Sequence, residues 1–212
     1  MKFTLLGPAA LLAGGLALAA PVSAAEDHSH HHHAPQQQGA EKPAAVQVKY
    51  GDTVLTDQNG RKVKLKSEVL GDKLVVMDFA YTNCTTVCPV LTALMAQVQT
   101  QLGEAAGKEV ALVTITVDPA RDTPARMKEY AAKHGAKPGW LWLTGPTGTV
   151  NEVLKGFDAY APNFEDHPPL VLVGDTKTGE WTRFFGFSDP KDIVAKVNEL
   201  RAARQQHASH KH

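Results

Sequence analysis

Two cysteines are all that 212 residues contain, and no charge of either sign predominates, since 22 Lys and Arg face 22 Asp and Glu. One pair of cysteines excludes a disulfide scaffold, so the chain must hold itself together through an apolar core. Balanced charge with no Lys/Arg stripe excludes a nucleic-acid partner recruited by phosphate contacts. The four methionines are scattered and form no Met-x-Met cluster, so they read as core rather than as thioether metal ligands. Trp140, Trp142 and Trp181 likewise read as fillers of core and sheet faces. No internal repeat is present, and the only long apolar run stands at the amino terminus.

That run, residues 3–20 behind Lys2, leads into Pro21-Val22-Ser23-Ala24-Ala25. A charged, apolar and small-residue order of this kind predicts a secretory signal peptide over residues 1–24. The mature protein is then periplasmic or otherwise extracytoplasmic, and meets a membrane only if the segment stays uncleaved. Residues 25–45 carry His28 and His30, His31, His32 and His33 with almost nothing apolar, and read as a flexible His-rich tether. A second cluster, His207, His210 and His212, marks residues 205–212 as a His-containing tail. Both clusters suit auxiliary capture of transition metals.

Residues 46–204 are one domain's worth of chain. Residues 53–56 and 62–66 flank Asp57-Gln58-Asn59-Gly60, and Asn-Gly between short runs predicts a hairpin. Strands are predicted over 74–80, 110–117, 141–143, 170–173 and 181–187, and helices over 89–102, 124–134, 149–157 and 190–204. Thr123 is the expected cap of the second helix, with Pro124 its first residue. This alternation implies an α/β fold with a central mixed sheet, helices on both faces and an N-terminal β-hairpin.

Both cysteines lie in Tyr81-Thr82-Asn83-Cys84-Thr85-Thr86-Val87-Cys88-Pro89, at a strand-to-helix junction. Residues i and i+4 share a helix face, so the sulfurs converge, and backbone N–H groups at a helix start favour thiolate. An inert disulfide would close a very small loop and gain little entropy. Two thiolates plus an imidazole suit Cu(I). His134 stands at a helix end, whereas His167, in Glu165-Asp166-His167-Pro168-Pro169 ahead of an apolar strand, is the candidate third ligand. A thiol-disulfide couple and a thiol peroxidase are the rival chemistries. The peroxidase lacks an Arg placed beside Cys84 by any local motif.

With Thr116-Val117-Asp118-Pro119-Ala120-Arg121-Asp122-Thr123-Pro124 added to the cysteine motif and to Asp166-His167, the sequence resembles the Sco/SenC family over about residues 46–200. The resemblance implies a thioredoxin-like three-layer fold with copper, as Cu(I) and Cu(II), held by Cys84, Cys88 and His167. It also implies a chaperone that assembles the binuclear copper centre of cytochrome c oxidase, with the oxidase's copper-site subunit and other periplasmic copper carriers as partners. Thr85 and Thr86 stand where the family usually has Pro and Asp. The alternative is a thiol-disulfide oxidoreductase that reduces the cysteines of that copper site, Cys84 attacking and Cys88 resolving. Asp78, in an apolar strand, is similar to the buried Asp of thioredoxins and is expected to have a raised pKa and to relay protons. For Asp118, Arg121 and Asp122, helix capping and an Arg–Asp pair suffice.

Overall fold

The computed structural model describes residues 42–209. The expected signal peptide, the tether histidines His28 and His30 to His33, and His210 and His212 lie outside them. At the centre stands β4 (Leu74–Ala80), an apolar run buried on both faces, as a central strand requires. It runs parallel to β5 (Val110–Thr116) and antiparallel to β7 (Leu170–Asp175). Beyond β5 lie β6 (Trp140–Thr144) and the hairpin β2 (Val54–Asp57) and β3 (Lys62–Lys64); beyond β7 lie β8 (Trp181–Phe185) and the short β1 (Ala44–Ala45). The eight-stranded order is β1-β8-β7-β4-β5-β6-β2-β3.

Side-chain alternation along β4 divides the core in two. Val75, Met77 and Phe79 pack with α3 (Thr147–Gly156), while Leu74 and Val76 pack with α1 (Val87–Leu102), α2 (Pro124–Lys133) and α4 (Pro190–Ser209). Helices therefore cover both faces, and the sheet lies between them. Asp78 shares the face of Val76, under α1.

The departures from expectation lie at element ends. Ala44 and Ala45, assigned to the tether, pair with Thr182 and Arg183 of β8; two alanines carry no strand pattern of their own. The helix expected to end near 204 continues to Ser209 and takes in His207, because the Arg, Ala and Gln there are good helix formers with no Gly or Pro stop. Residues 65–70, read in part as strand, form a π-helical turn that buries Leu65, Val69 and Leu70. β8 stops at Phe185, before Gly186 at φ 61°.

One ion pair fastens the last helix to the sheet. The buried Asp175 carboxylate accepts Arg204 Nε at 2.7 Å and Nη2 at 2.6 Å, together with the Lys177 and Thr178 N–H groups. Burial raises the Asp175 pKa, but these donors outweigh it and hold the carboxyl below its usual range. Arg204→Ala strands that charge and is expected to cost about 3 kcal/mol, the usual result of breaking a buried pair from one side. Urea unfolding should show a lower midpoint at unchanged slope; an unaltered midpoint would show that the pair contributes nothing.

Candidate metal and thiol site

Strand β4 delivers Ala80 to the end of the sheet, and residues 81–86 turn there before α1 begins. Cys84 N–H closes the turn on Tyr81 C=O at 3.3 Å. Cys84 precedes the helix and Cys88 lies in its first turn, both free thiols, 5% and 1% exposed. Thr86, the residue before the helix, makes no side-chain cap, and Cys88 N–H donates to Cys84 Sγ at 3.3 Å instead. The sulfur thus satisfies a backbone donor left over at the helix start, as an Asp or Ser cap would.

This arrangement divides the two thiols. Burial pushes the Cys84 pKa up, but hydrogen bonds from the Cys88 thiol, from the Cys88 and Thr86 N–H groups and from the Tyr81 phenol together bring it below its ordinary value. Cys88 is pushed well above its ordinary value, first by burial, then by donating to Cys84, with the Cys84 and Asp78 charges adding to the shift. Tyr81 also moves up, by burial and by its bond to Cys84. One sulfur is prepared as thiolate and the other holds the proton.

His167, 5% exposed, follows a short 3₁₀ turn, Phe164–Asp166, and its ring lies between two carbonyls. Nδ1 is 2.8 Å from Phe164 O, and Nε2 is 3.2 Å from Phe79 O. A neutral imidazole carries one N–H, so it satisfies one of these oxygens and turns a lone pair toward the other. With the proton on Nδ1, the Phe164 carbonyl orients the ring and Nε2 is the free donor, the arrangement found behind metal-bound histidines. Tyr81 stands edge-on to the ring at 6.0 Å. Among the described residues, no three His, Cys, Asp or Glu side chains converge into a metal-binding group. The two sulfurs are thus brought together, while His167 Nε2 lies 3.2 Å from the Phe79 carbonyl of β4 and the ring stands apart from them.

Asp78 is fully buried on the central strand. Thr114, its direct partner across the β4–β5 pair, donates to Oδ1, and Trp140 Nε1 donates in turn to Thr114 Oγ1 at 2.9 Å. Oδ2 has no partner. Burial pushes the Asp78 pKa up to about 7, with the Thr114 bond opposing. His134 lies elsewhere, capping α2 with its ring 4.2 Å from that of Tyr130.

Three participants were not singled out from sequence. Tyr81 and Phe164 are aromatic residues in loops and carried no periodic signal. Asp122 was read with the start of the second helix; Thr123 caps that helix as expected, its Oγ1 accepting Arg126 N–H at 3.3 Å, and Asp122 takes no part in the cap. Asp122 instead accepts Thr82 N–H at 3.1 Å and the Thr82 hydroxyl at 2.5 Å, two residues before Cys84. Its signal in the sequence is faint: an Asp immediately before Thr-Pro leaves the cap to Thr and its own carboxylate free.

A family model described as SCO1/SenC matches residues 41–202. The chain belongs to the SCO1/SenC family. As a SCO1/SenC protein it is 36% identical over 118 residues to the SCO1 protein homolog of Bacillus subtilis (strain 168), an overlap of 54% of this chain and 60% of that one. The match therefore spans about three-fifths of that relative. Among solved structures, Bradyrhizobium japonicum ScoI with copper bound is 31% identical, with a TM-score of 0.59 over 70% of this chain and 97% of the other. BsSco, a member of the Sco family of cytochrome c oxidase assembly proteins that has a disulfide switch, is 27% identical, with a TM-score of 0.62 over 74% and 95%. The SCO1/SenC sheet and helices described above are the thioredoxin-like α/β fold of these structures.

Proposed function

We propose that this protein is an extracytoplasmic copper chaperone that carries Cu(I) on Cys84, Cys88 and His167 and delivers it to the copper-site subunit of cytochrome c oxidase. The observation that carries the reading is the free sulfur pair at the start of α1, with Cys88 N–H on Cys84 Sγ at 3.3 Å and a buried imidazole on the adjoining loop. Two soft thiolates and one imidazole are a donor set for a d10 cation rather than for Mg or Ca. Copper here is cargo: it must enter and leave. A site whose third ligand begins apart from the two sulfurs and joins when the metal arrives suits transfer by one-at-a-time ligand exchange. The copper-bound ScoI structure and the assembly role given for the Sco family support the same cargo and target. Delivery to a periplasmic target agrees with the signal peptide expected over residues 1–24, with residues 25–45 as the tether and other periplasmic copper carriers as the source; the His-rich tails add metal capture.

Anaerobic titration of the reduced protein with Cu(I) against a competing chelator tests this. Residues 42–209 should bind one tight equivalent, and His167→Ala should bind it at least tenfold more weakly; equal affinity in the mutant would leave a bare dithiol and remove His167 from the site. Using residues 42–209 removes His28, His30 to His33, His210 and His212 and leaves His207 as a lone tail histidine.

A second reading, a thiol-disulfide oxidoreductase that reduces the target's cysteines, is favoured by one observation: a buried Asp78 with its pKa near 7 on the strand behind a protonated Cys88. There Cys84 attacks, Cys88 resolves, and Asp78 takes the Cys88 proton. A copper carrier in an oxidising compartment needs reduced cysteines in itself and in its acceptor, so the two activities serve one delivery.

A further inference from the structure

Residues 118–122, which link β5 to α2, touch both halves of the site, the cysteine loop through Asp122 and the histidine loop through Arg121. Asp122 is 1% exposed, and every polar contact of its carboxylate is a neutral donor. Oδ1 takes the Thr82 hydroxyl at 2.5 Å, Oδ2 takes the Thr116 hydroxyl at 2.6 Å, and the Thr82 N–H lies 3.2 and 3.1 Å from the two oxygens. The Asp122 backbone is fixed in turn, its N–H on Asp118 O at 3.0 Å and its C=O under the Thr144 hydroxyl at 2.9 Å. Thr82 therefore hangs on a rigid acceptor, and the turn it belongs to carries Tyr81 and Cys84. On the other side Arg121, paired with Asp118 at 2.8 Å, places its guanidinium 4.8 Å from the centre of the Phe164 ring. Phe164 supplies the carbonyl that orients His167, and its ring meets Tyr81 edge-on at 5.0 Å.

We infer that Asp122 and Arg121 are positioning residues of one bracket, which sets where Cys84 and His167 stand relative to each other. The inference deepens the proposed copper site and rests on that reading for the His167 arm alone; the cysteine arm stands without metal. A carboxylate is required at 122 because three donors converge on its two oxygens. Asparagine offers one acceptor and turns an NH₂ toward a hydroxyl or amide donor, so either Thr82 or Thr116 loses its partner.

Timed alkylation of the reduced, metal-free protein by iodoacetamide reads the cysteine arm. Asp122→Asn and Thr82→Val should each lower the preference for Cys84 over Cys88 at least tenfold, and Thr82→Ser should restore it. Arg204→Ala, which breaks the ion pair between the last helix and β7 and touches neither arm of the bracket, should lower the melting temperature and leave the preference unchanged. Cu(I) affinity reads the other arm: Arg121→Met should weaken binding severalfold in the wild-type background and have no effect in His167→Ala. If Asp122→Asn does not fold, Thr82→Val decides. A wild-type preference in both Asp122→Asn and Thr82→Val would overturn the bracket, as would an Arg121→Met effect that survives the loss of His167. A wild-type protein that binds no Cu(I) tightly would sink the copper reading and the histidine arm with it, while the alkylation ratio would still decide the cysteine arm.

Discussion

Iodoacetamide is expected to alkylate Cys84 about a hundredfold faster than Cys88 in reduced, metal-free protein near pH 8, since the thiolate is the reacting species and its population follows pKa. Cys84 has its pKa lowered because its burial is outweighed by donors from Cys88, Thr86 and Tyr81, whereas Cys88 is raised by burial and by giving its proton to Cys84. Each unit of separation changes the thiolate ratio tenfold, and a Brønsted slope of about 0.4–0.5 returns roughly half of that, because a less basic thiolate is a weaker nucleophile. Access works in the same direction, since Cys88 is the more deeply buried sulfur. Peptide mapping of timed, acid-quenched samples would measure the ratio; equal labelling would show that the helix start does not separate the two thiols. The asymmetry fixes the order of events in either proposed activity. Cys84 meets the partner's sulfur or the incoming metal first, and Cys88 follows only after it gives up a proton.

Much of this arrangement is legible in the chain because it follows from local chemistry. Asn59-Gly60 marks the hairpin, β-branched and apolar runs mark β4, β5 and β7, and Thr123-Pro124 marks the start of α2. Cys84 and Cys88 meet although Cys84 precedes the helix, because the turn closed on Tyr81 C=O sets its sulfur on the Cys88 N–H. What could not be read depends on contacts distant in sequence. Ala44 and Ala45 become a strand only because β8 presents an open edge, and nothing in two alanines announces it. The π-helical turn at Leu65–Leu70 replaces strand because Leu65, Val69 and Leu70 find the core there. Asp122 reaches Thr82 across forty positions of chain, where a reading based on neighbours assigns its carboxylate to the nearest helix. His167 was identified by type and by its place before a strand, but its two carbonyl partners come from Phe164 and from Phe79, eighty-eight positions away. Residue type announces the donors of the site; their aim is a tertiary property.

Replacing Asp78 by Asn is expected to make the protein more stable than wild type above pH 7 and to flatten part of its pH dependence. Below the unfolded pKa, near 3.8, Asp78 is protonated in both states and costs the fold nothing. As pH rises past that value the unfolded chain releases the proton while the folded chain keeps it, so stability falls; near pH 7 the folded carboxyl ionises too and the loss levels off. A separation of about 3 units is worth on the order of 4 kcal/mol, at 1.36 kcal/mol per unit. Asp57 and Asp175 have lowered values, so their contributions grow with pH only up to the usual carboxylate range and do not mask this window. Asn cannot titrate, and its Oδ1 still accepts the Thr114 hydroxyl. Urea unfolding at pH 5 and pH 7.5 would give the difference between the two proteins at each pH; a difference that does not change between them would mean that Asp78 ionises normally inside the sheet. On the oxidoreductase reading proposed above, the half-ionised state of Asp78 near neutrality lets it take the proton that Cys88 must lose before it resolves a disulfide.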